Sequence, residues 1–397
     1  MKEEAFAVAD RVRKDFPDSP DAIVLTGTLY ERLGNTAEAL QWWETCVRQF
    51  PHRADVLHAM GWVALRKGEH EKALSLWRKA LAVRPRMRGL HGGAARALLS
   101  VGKTEEAVAE LQAEIRISPG DCMAHYLLGE AYVQLKQYDQ ARQSYLATVE
   151  IDPEFKHAYY GLGVACARLG QPEQARQYRE EFKNLSSESL DELIDESVSF
   201  EDVAAVGRTL AKTLTEAGQL YAAHRFLWKA EQHWRRAAEV DAKHAPCRMA
   251  LAEMYLRLGR YRESLEMCRQ LAIIDADCAV YRLNAGIVHD RLGQFDAAER
   301  ALREAVRLDP RSAETHRELA GLLLKIDRGL PEAKTLAAAA VRLEPTATNY
   351  LLLSEACRKG GDLNEALEAA ERAIELEPHN AVCRRARDLL AQGLVRE

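Results

Sequence analysis

The sequence predicts an all-α array of stacked helix pairs, and three columns of residues repeating every 34 positions predict it. The first column is small: Gly27, Gly61, Ala95, Gly129 and Gly163, then Gly218, Ala252, Gly286, Ala320 and Ser354. Seven residues later most units carry a glycine, as at Gly34, Gly68, Gly102, Gly170, Gly259, Gly293 and Gly361. Twelve residues after the small position comes an alanine, as at Ala39, Ala73, Ala107, Ala141, Ala175, Ala230, Ala298 and Ala366, with Ser264 in its place once. Units of this size cannot bury their apolar faces alone, so neighbours complete them and function belongs on an extended surface.

Each unit reads as two helices. The first carries apolar residues at helical spacing, as in Val56, Met60 and Val63, and the following glycine suits a left-handed C-terminal cap. The second begins near the alanine and stops before a proline, as at Pro51, Pro85, Pro119, Pro153, Pro310, Pro345 and Pro378. Small residues at the crossing let the two axes approach toward the lower end of the usual range of about 8–10 Å. The frame has departures: Lys136, Arg225 and Asp327 replace the turn glycine, Ala242 and Ala276 replace the proline, and in the ninth unit Ala333 and Pro345 fall one position late.

Along the chain, residues 1–19 match the second helix of a unit whose first helix is missing, with Ala5 and Ala9 before Pro17. This suggests a natural N-terminus further upstream. Residues 20–183 hold five units, starting at 20, 54, 88, 122 and 156. The frame then jumps by 21 residues, and 184–210 read as an acidic helical insertion. It carries Glu188, Asp191, Glu192, Asp195, Glu196, Glu201 and Asp202, and the spacing of Leu190, Leu193, Ile194 and Val198 suits an amphipathic helix. Two readings of it stay open: a solvated spacer that restarts the array, or a helix that competes with a basic partner for a groove. Residues 211–380 hold five more units, starting at 211, 245, 279, 313 and 347, and 381–397 read as a capping helix.

At this point the chain resembles the tetratricopeptide repeat family. The family's pattern stands nearly whole in Tyr159, Leu162, Gly163, Gly170 and Ala175, and again in Leu128, Gly129, Tyr132, Ala141, Tyr145 and Pro153. The resemblance implies a superhelical solenoid of about ten repeats in two blocks of five, with the first helices lining a groove that receives a peptide or a partner helix.

No pattern for chemistry interrupts the array. The chain contains no phosphate-binding glycine loop, no nucleophile elbow and no paired-histidine metalloprotease motif. Gly161, Leu162 and Gly163 belong to a repeat helix. His91 and His125 recur at equivalent places with His58 nearby, but equivalent places in neighbouring units lie about a helix diameter apart, too far to share one metal ion. The eight cysteines form no CxxC pair, and Cys46, Cys166, Cys268 and Cys357 fall in core columns, where free cysteine acts as a small hydrophobe. A net charge of −5 gives no general attraction to nucleic acid, and no run of eighteen apolar residues is present. No cofactor is expected. A cytoplasmic setting is favoured, with a periplasmic one open if an upstream signal or anchor was removed.

Carrying the family's groove columns onto this sequence selects His58, Trp62, Arg66, Arg96, Tyr126, Glu130 and Tyr160 in the first block, and Asn284 and Arg317 in the second, as partner-contacting residues. Aromatic and arginine side chains are the types enriched at binding hot spots. Gly89, Gly92 and Gly93 also fall at groove columns, and two readings account for them: a depression between Trp62 and Tyr126, or a weak, hinge-like unit. Where some relatives clamp a terminal carboxylate with Lys and Asn, the matching places hold residues such as Val24, Thr28 and Ala59, and Asn284 alone has the sixth-place asparagine, so a carboxylate clamp is not expected. The expectation is a non-catalytic scaffold for a protein or peptide partner, bacterial in style. Two alternatives stand beside it: the regulatory part of a larger enzyme, and an envelope assembly scaffold without its export signal.

Overall fold

The computed structural model describes residues 1–192 and 203–394, and among these it is helical throughout, without a strand. The chain divides into two compact units, Met1–Thr213 and Leu214–Glu397. The first contains α1 (Lys2–Asp15), then the pairs α2 and α3 (Pro20–Arg32, Thr36–Gln49), α4 and α5 (Ala54–Arg66, His70–Val83), α6 and α7 (Leu90–Ser100, Thr104–Ile117), α8 and α9 (Cys122–Gln134, Tyr138–Ile151), and α10 and α11 (Lys156–Arg168, Pro172–Glu192). Helix α12 (Val203–Ala223) crosses the boundary between the units and pairs with α13 (Leu227–Val240). The second unit continues with α14 and α15 (Ala245–Arg257, Tyr261–Ile274), α16 and α17 (Ala279–Arg291, Phe295–Leu308), α18 and α19 (Ala313–Lys325, Leu330–Leu343), α20 and α21 (Ala347–Gly360, Leu363–Leu376), and α22 (Ala381–Leu394). Of the acidic stretch, α11 extends through Glu192, while 193–202, with Leu193, Ile194 and Val198, lie outside the described residues.

What joins the helices of a pair is a backbone device. The residue in the glycine column takes a left-handed conformation, with φ of 76° at Gly68 and 73° at Gly170. The next amide then reaches back over the end of the first helix: Glu69 N–H donates to the Ala64 carbonyl at 2.9 Å and Gln171 N–H to that of Cys166 at 2.9 Å, the bond of a Schellman cap. Lys136, Arg225 and Asp327 adopt the same left-handed backbone, with φ of 60°, 65° and 49°. The turn therefore forms without glycine there, at a steric cost of about 1–2 kcal/mol per residue.

What packs the pairs is a match of volumes. A side chain from the second helix, sixteen residues after the small position, fills the notch that the small residue leaves. A Cβ built on Gly27 would lie 2.6 Å from the Trp43 ring, one on Gly61 2.7 Å from that of Trp77, and one on Gly129 2.5 Å from that of Tyr145. Gly218 faces Trp234 in the same way, and Gly286 faces Leu302 at 2.6 Å. Where the first column holds Ala95 the matching residue shrinks to Leu111, and where it holds Ala252 to Cys268, each pair buried within one cluster. At Ser354 the partner is only Ala370, and the hydroxyl donates to the Ala366 carbonyl at 2.7 Å.

The thiols of Cys46, Cys166, Cys247, Cys268, Cys357 and Cys383 are buried, and all eight cysteines are free. Burial pushes the Cys268 thiol up to about 11, so it stays protonated and behaves as part of the core.

The volume match predicts a compensating pair. Gly27→Ala should cost about 1–3 kcal/mol by pressing Cβ into Trp43, and Trp43→Leu should cost about 3 kcal/mol by opening a cavity. The double variant, which recreates the Ala95 and Leu111 pairing, is expected to lose at least about 1 kcal/mol less than the sum, measured by chemical denaturation of all three proteins.

Candidate functional site

Within the first unit, α4, α6, α8 and α10 pack side by side as successive first helices, so the residues of their groove columns form a row. The row begins at Trp62, whose ring meets Trp77 edge-on with centroids 5.4 Å apart and carries the Arg96 guanidinium 5.5 Å from its centroid. Arg66 turns away to pair with Glu31 at 2.8 Å. Further along, the Tyr126 hydroxyl donates to Glu130 at 2.8 Å, and the Tyr126 ring lies 5.0 Å from Phe155 and 5.9 Å from Tyr145. Tyr160 is 57% exposed, with its ring 5.6 Å from Phe182.

The residues from Tyr126 onward enclose an open cavity of about 250 Å³, walled by Tyr126, Glu130, Tyr145, His157, Tyr160 and Val164. Gly161 is what admits Tyr145: a Cβ there would lie 2.5 Å from the phenol ring. Burial together with the nearby Glu130 carboxylate raises both Tyr126 and Tyr145 above the ordinary phenol range, so their hydroxyls are neutral donors at neutral pH. The sequence columns identify Tyr126, Glu130 and Tyr160 but miss Tyr145, which belongs to the second helix of its pair and reaches the row through the notch.

His58 is committed to the interior more than to the surface. Its two ring nitrogens face the indole N–H groups of Trp62 at 3.0 Å and Trp77 at 2.9 Å. A neutral imidazole offers one bare nitrogen and accepts from one indole at a time. Burial lowers its affinity for a proton, partly offset by Glu114.

The triple glycine has a different explanation from either the depression or the hinge expected from sequence. Trp77 fills the space: a Cβ on Gly93 would lie 2.5 Å from its ring. Gly89 has φ of 84° and stands as N-cap of α6, where the buried Glu114 carboxylate of α7 accepts from Gly89 N–H at 2.7 Å and Gly92 N–H at 3.1 Å. A side chain from the neighbouring helix thus caps α6, supplying the acceptors that its own N-terminus lacks. His91 and His125 bond to Glu110 and to the Pro119 carbonyl respectively, on separate partners. Among the described residues no group of three metal-binding side chains is present.

The second-unit candidates are held differently. Arg317 is tied to Glu314 and Glu318 on its own helix, and Asn284 rests its amide 3.8 Å from the Met249 sulfur. A larger cavity in this unit, about 410 Å³, is walled by Gln219, Leu227, Trp234, Glu253, Met254 and Leu258, with Glu253 paired to Arg257.

Models of the tetratricopeptide repeat match residues 21–86, 58–121, 247–278, 283–329 and 347–380, and a model of the TPR repeat matches 129–170. The chain belongs to the tetratricopeptide repeat family. Solved structures similar to this tetratricopeptide repeat chain include residues 41 to the end of MamA from Desulfovibrio magneticus RS-1, with 23% identity over 46% of this chain and 96% of that one, TM-score 0.40. TTC0263, a thermophilic TPR protein in Thermus thermophilus, has 22% identity over 46% of this chain and 99% of that one, TM-score 0.38. Yeast Tom70 has 14% identity over 97% of this chain and 96% of that one, TM-score 0.41. No curated protein matches the chain. No helix among the described residues is long and apolar enough to cross a membrane. As a tetratricopeptide repeat array the chain is, in general terms, a scaffold for protein interaction.

The packing around α6 makes opposite demands on two neighbouring glycines. Gly93→Ala should destabilise the first unit because Trp77 must shift, whereas Gly92→Ala, whose Cβ would stand 3.8 Å from Glu114, should stabilise it by about 0.5–1 kcal/mol, both read by thermal denaturation. Because His58 takes up a proton less readily folded than unfolded, stability should fall as pH drops below about 6.5 and go on falling to its lowered folded value. In His58→Gln the drop in melting temperature between pH 7 and pH 5 should be smaller than in the parent.

Proposed function

We propose that the chain is a non-catalytic scaffold that holds an extended peptide or a helix of a partner protein against the first-helix row of the first unit, around Tyr126, Glu130, Tyr145 and Tyr160. The open aromatic cavity carries this reading, because three successive helices contribute its walls and one of its rings stands 57% exposed. Aromatic side chains supply large contact area at little entropic cost, which suits them to anchor a partner. Trp62 and Arg96 extend the same row, and His58 supports them from behind through its indole contacts. In the second unit Asn284 and Arg317 belong to the equivalent columns and form a secondary contact region. The acidic net charge argues against nucleic acid as the partner, and the free thiols accord with a reducing compartment.

A photo-crosslinking residue placed at Tyr160 should label one discrete partner in cell extract, while the same residue at exposed Glu105 on the second-helix side of α7 should not. Equal labelling at both positions, or none at Tyr160, rules out the groove reading.

A further inference from the structure

The Tyr126 cavity differs from the other aromatic clusters of the chain in its electrostatics. At several other aromatic clusters the ring faces are already occupied by the protein's own cations. Arg96 lies over Trp62 at 5.5 Å, Arg260 over Tyr255 at 4.2 Å, and the Lys229 ammonium stands 4.9, 5.7 and 5.8 Å from the rings of Tyr221, Phe226 and Trp228. Among the described residues no cation lies over Tyr126, Tyr145 or Tyr160.

Instead the cavity holds an acid. Glu130 receives the Tyr126 hydroxyl on one oxygen and forms no ion pair among the described residues, although most acidic side chains of the neighbouring columns do: Glu31 with Arg66, Glu253 with Arg257, Asp290 with Lys325. Arg96 is near enough for its charge to reach Tyr126, but its guanidinium is spent on the Trp62 face. Neutral phenol rings with an unpaired carboxylate among them form a receptor for a positive charge: the ring faces attract it by their quadrupoles and the free carboxylate oxygen accepts its N–H groups. A volume of about 250 Å³ lies below the range of about 300–1,000 Å³ typical of small-molecule sites and suits a single side chain.

We propose that this cavity receives a lysine or arginine side chain of the bound partner, so that the groove selects a segment with a basic residue at that register. The proposal rests on the groove reading above and supplies the partner chemistry at its centre. It also sets this chain against a recognition of acidic termini, since Glu130 would repel a carboxylate placed between the same rings.

The test uses the full chain labelled with 3-fluorotyrosine, with resonances assigned by Tyr126→Phe and Tyr160→Phe, and titrated with N-acetyl-arginine methylamide and N-acetyl-lysine methylamide. N-acetyl-norleucine methylamide and N-acetyl-glutamate methylamide serve as the apolar and acidic controls. The expected result is a saturable shift of the Tyr126 and Tyr160 signals with the basic probes, affinity at least about tenfold weaker for norleucine, and a loss of about tenfold for the basic probes in Glu130→Gln. Glu130→Gln keeps the size and the acceptor for Tyr126, and an unchanged melting temperature separates lost charge from lost fold. Equal response to norleucine and arginine makes the cavity a plain apolar pocket and overturns the proposal, as does indifference to every probe. Crosslinking at Tyr160 that persists undiminished in Glu130→Gln, with no binding of the basic probes, sinks this inference while leaving the groove reading intact. Binding of the probes without any crosslinked partner overturns the groove reading, and with it the partner the proposal places there, while keeping the cavity's preference for a basic group.

Discussion

The insertion of a second-helix side chain, from Trp at its largest to Ala at its smallest, into the notch left by a small residue on the first helix is the contact on which the rest of the structure depends. It sets how closely the two axes cross, and it fixes which side of the first helix is free. A glycine opposite Trp43, Trp77 or Trp234 and an alanine opposite Leu111 or Cys268 are different solutions of the same volume equation. Protein interiors pack at the density of organic crystals, so a mismatch on either side must be taken up by displacing a helix. The groove columns inherit their setting from that contact, since Trp62 packs on Trp77 and Tyr126 on Tyr145, the rings that fill the notches.

Much of this was legible in the chain because covalent spacing carries it. The 34-residue column of small residues and the turn position follow from counting, and the row containing Tyr126, Glu130 and Tyr160 follows from the family's groove columns placed on that count. What counting misses is contact between units. The partner column varies from Trp to Ala, so its regularity shows only when its volumes are set against those of the first column. Gly93 looks dispensable on its own helix, yet the ring that forbids a side chain there comes from the preceding unit. Tyr145 escapes for a related reason: it belongs to the core column of a second helix, and only the absence of a side chain at Gly161 lets its ring contribute to the exposed row. Lys136, Arg225 and Asp327 look like flaws in the frame, and their backbones show that the turn needs a positive φ more than it needs glycine.

The two units use charge in different ways along equivalent columns. In the second, Arg317, Glu253 and Asp290 are each engaged by an opposite charge within one or two helices, and exposed pairs of this kind contribute at most about 1 kcal/mol each. Their larger effect is to cancel local fields. In the first unit the aromatic row keeps one carboxylate uncancelled, so a short stretch of surface holds both contact area and a definite sign of potential.

The turns carry a further consequence. Their closing bonds run from backbone amide to backbone carbonyl, and the side chain of the residue in the loop takes no part. Hairpin geometry is thereby insulated from the chemistry of the exposed columns. The side chains of Glu130 and Tyr160 take part neither in the bond from Gln137 N–H to the Tyr132 carbonyl nor in the fit of Tyr145 against Gly129. Such an architecture can drift in what it recognises while its skeleton stays put, and the residues free to drift are the ones a partner would touch.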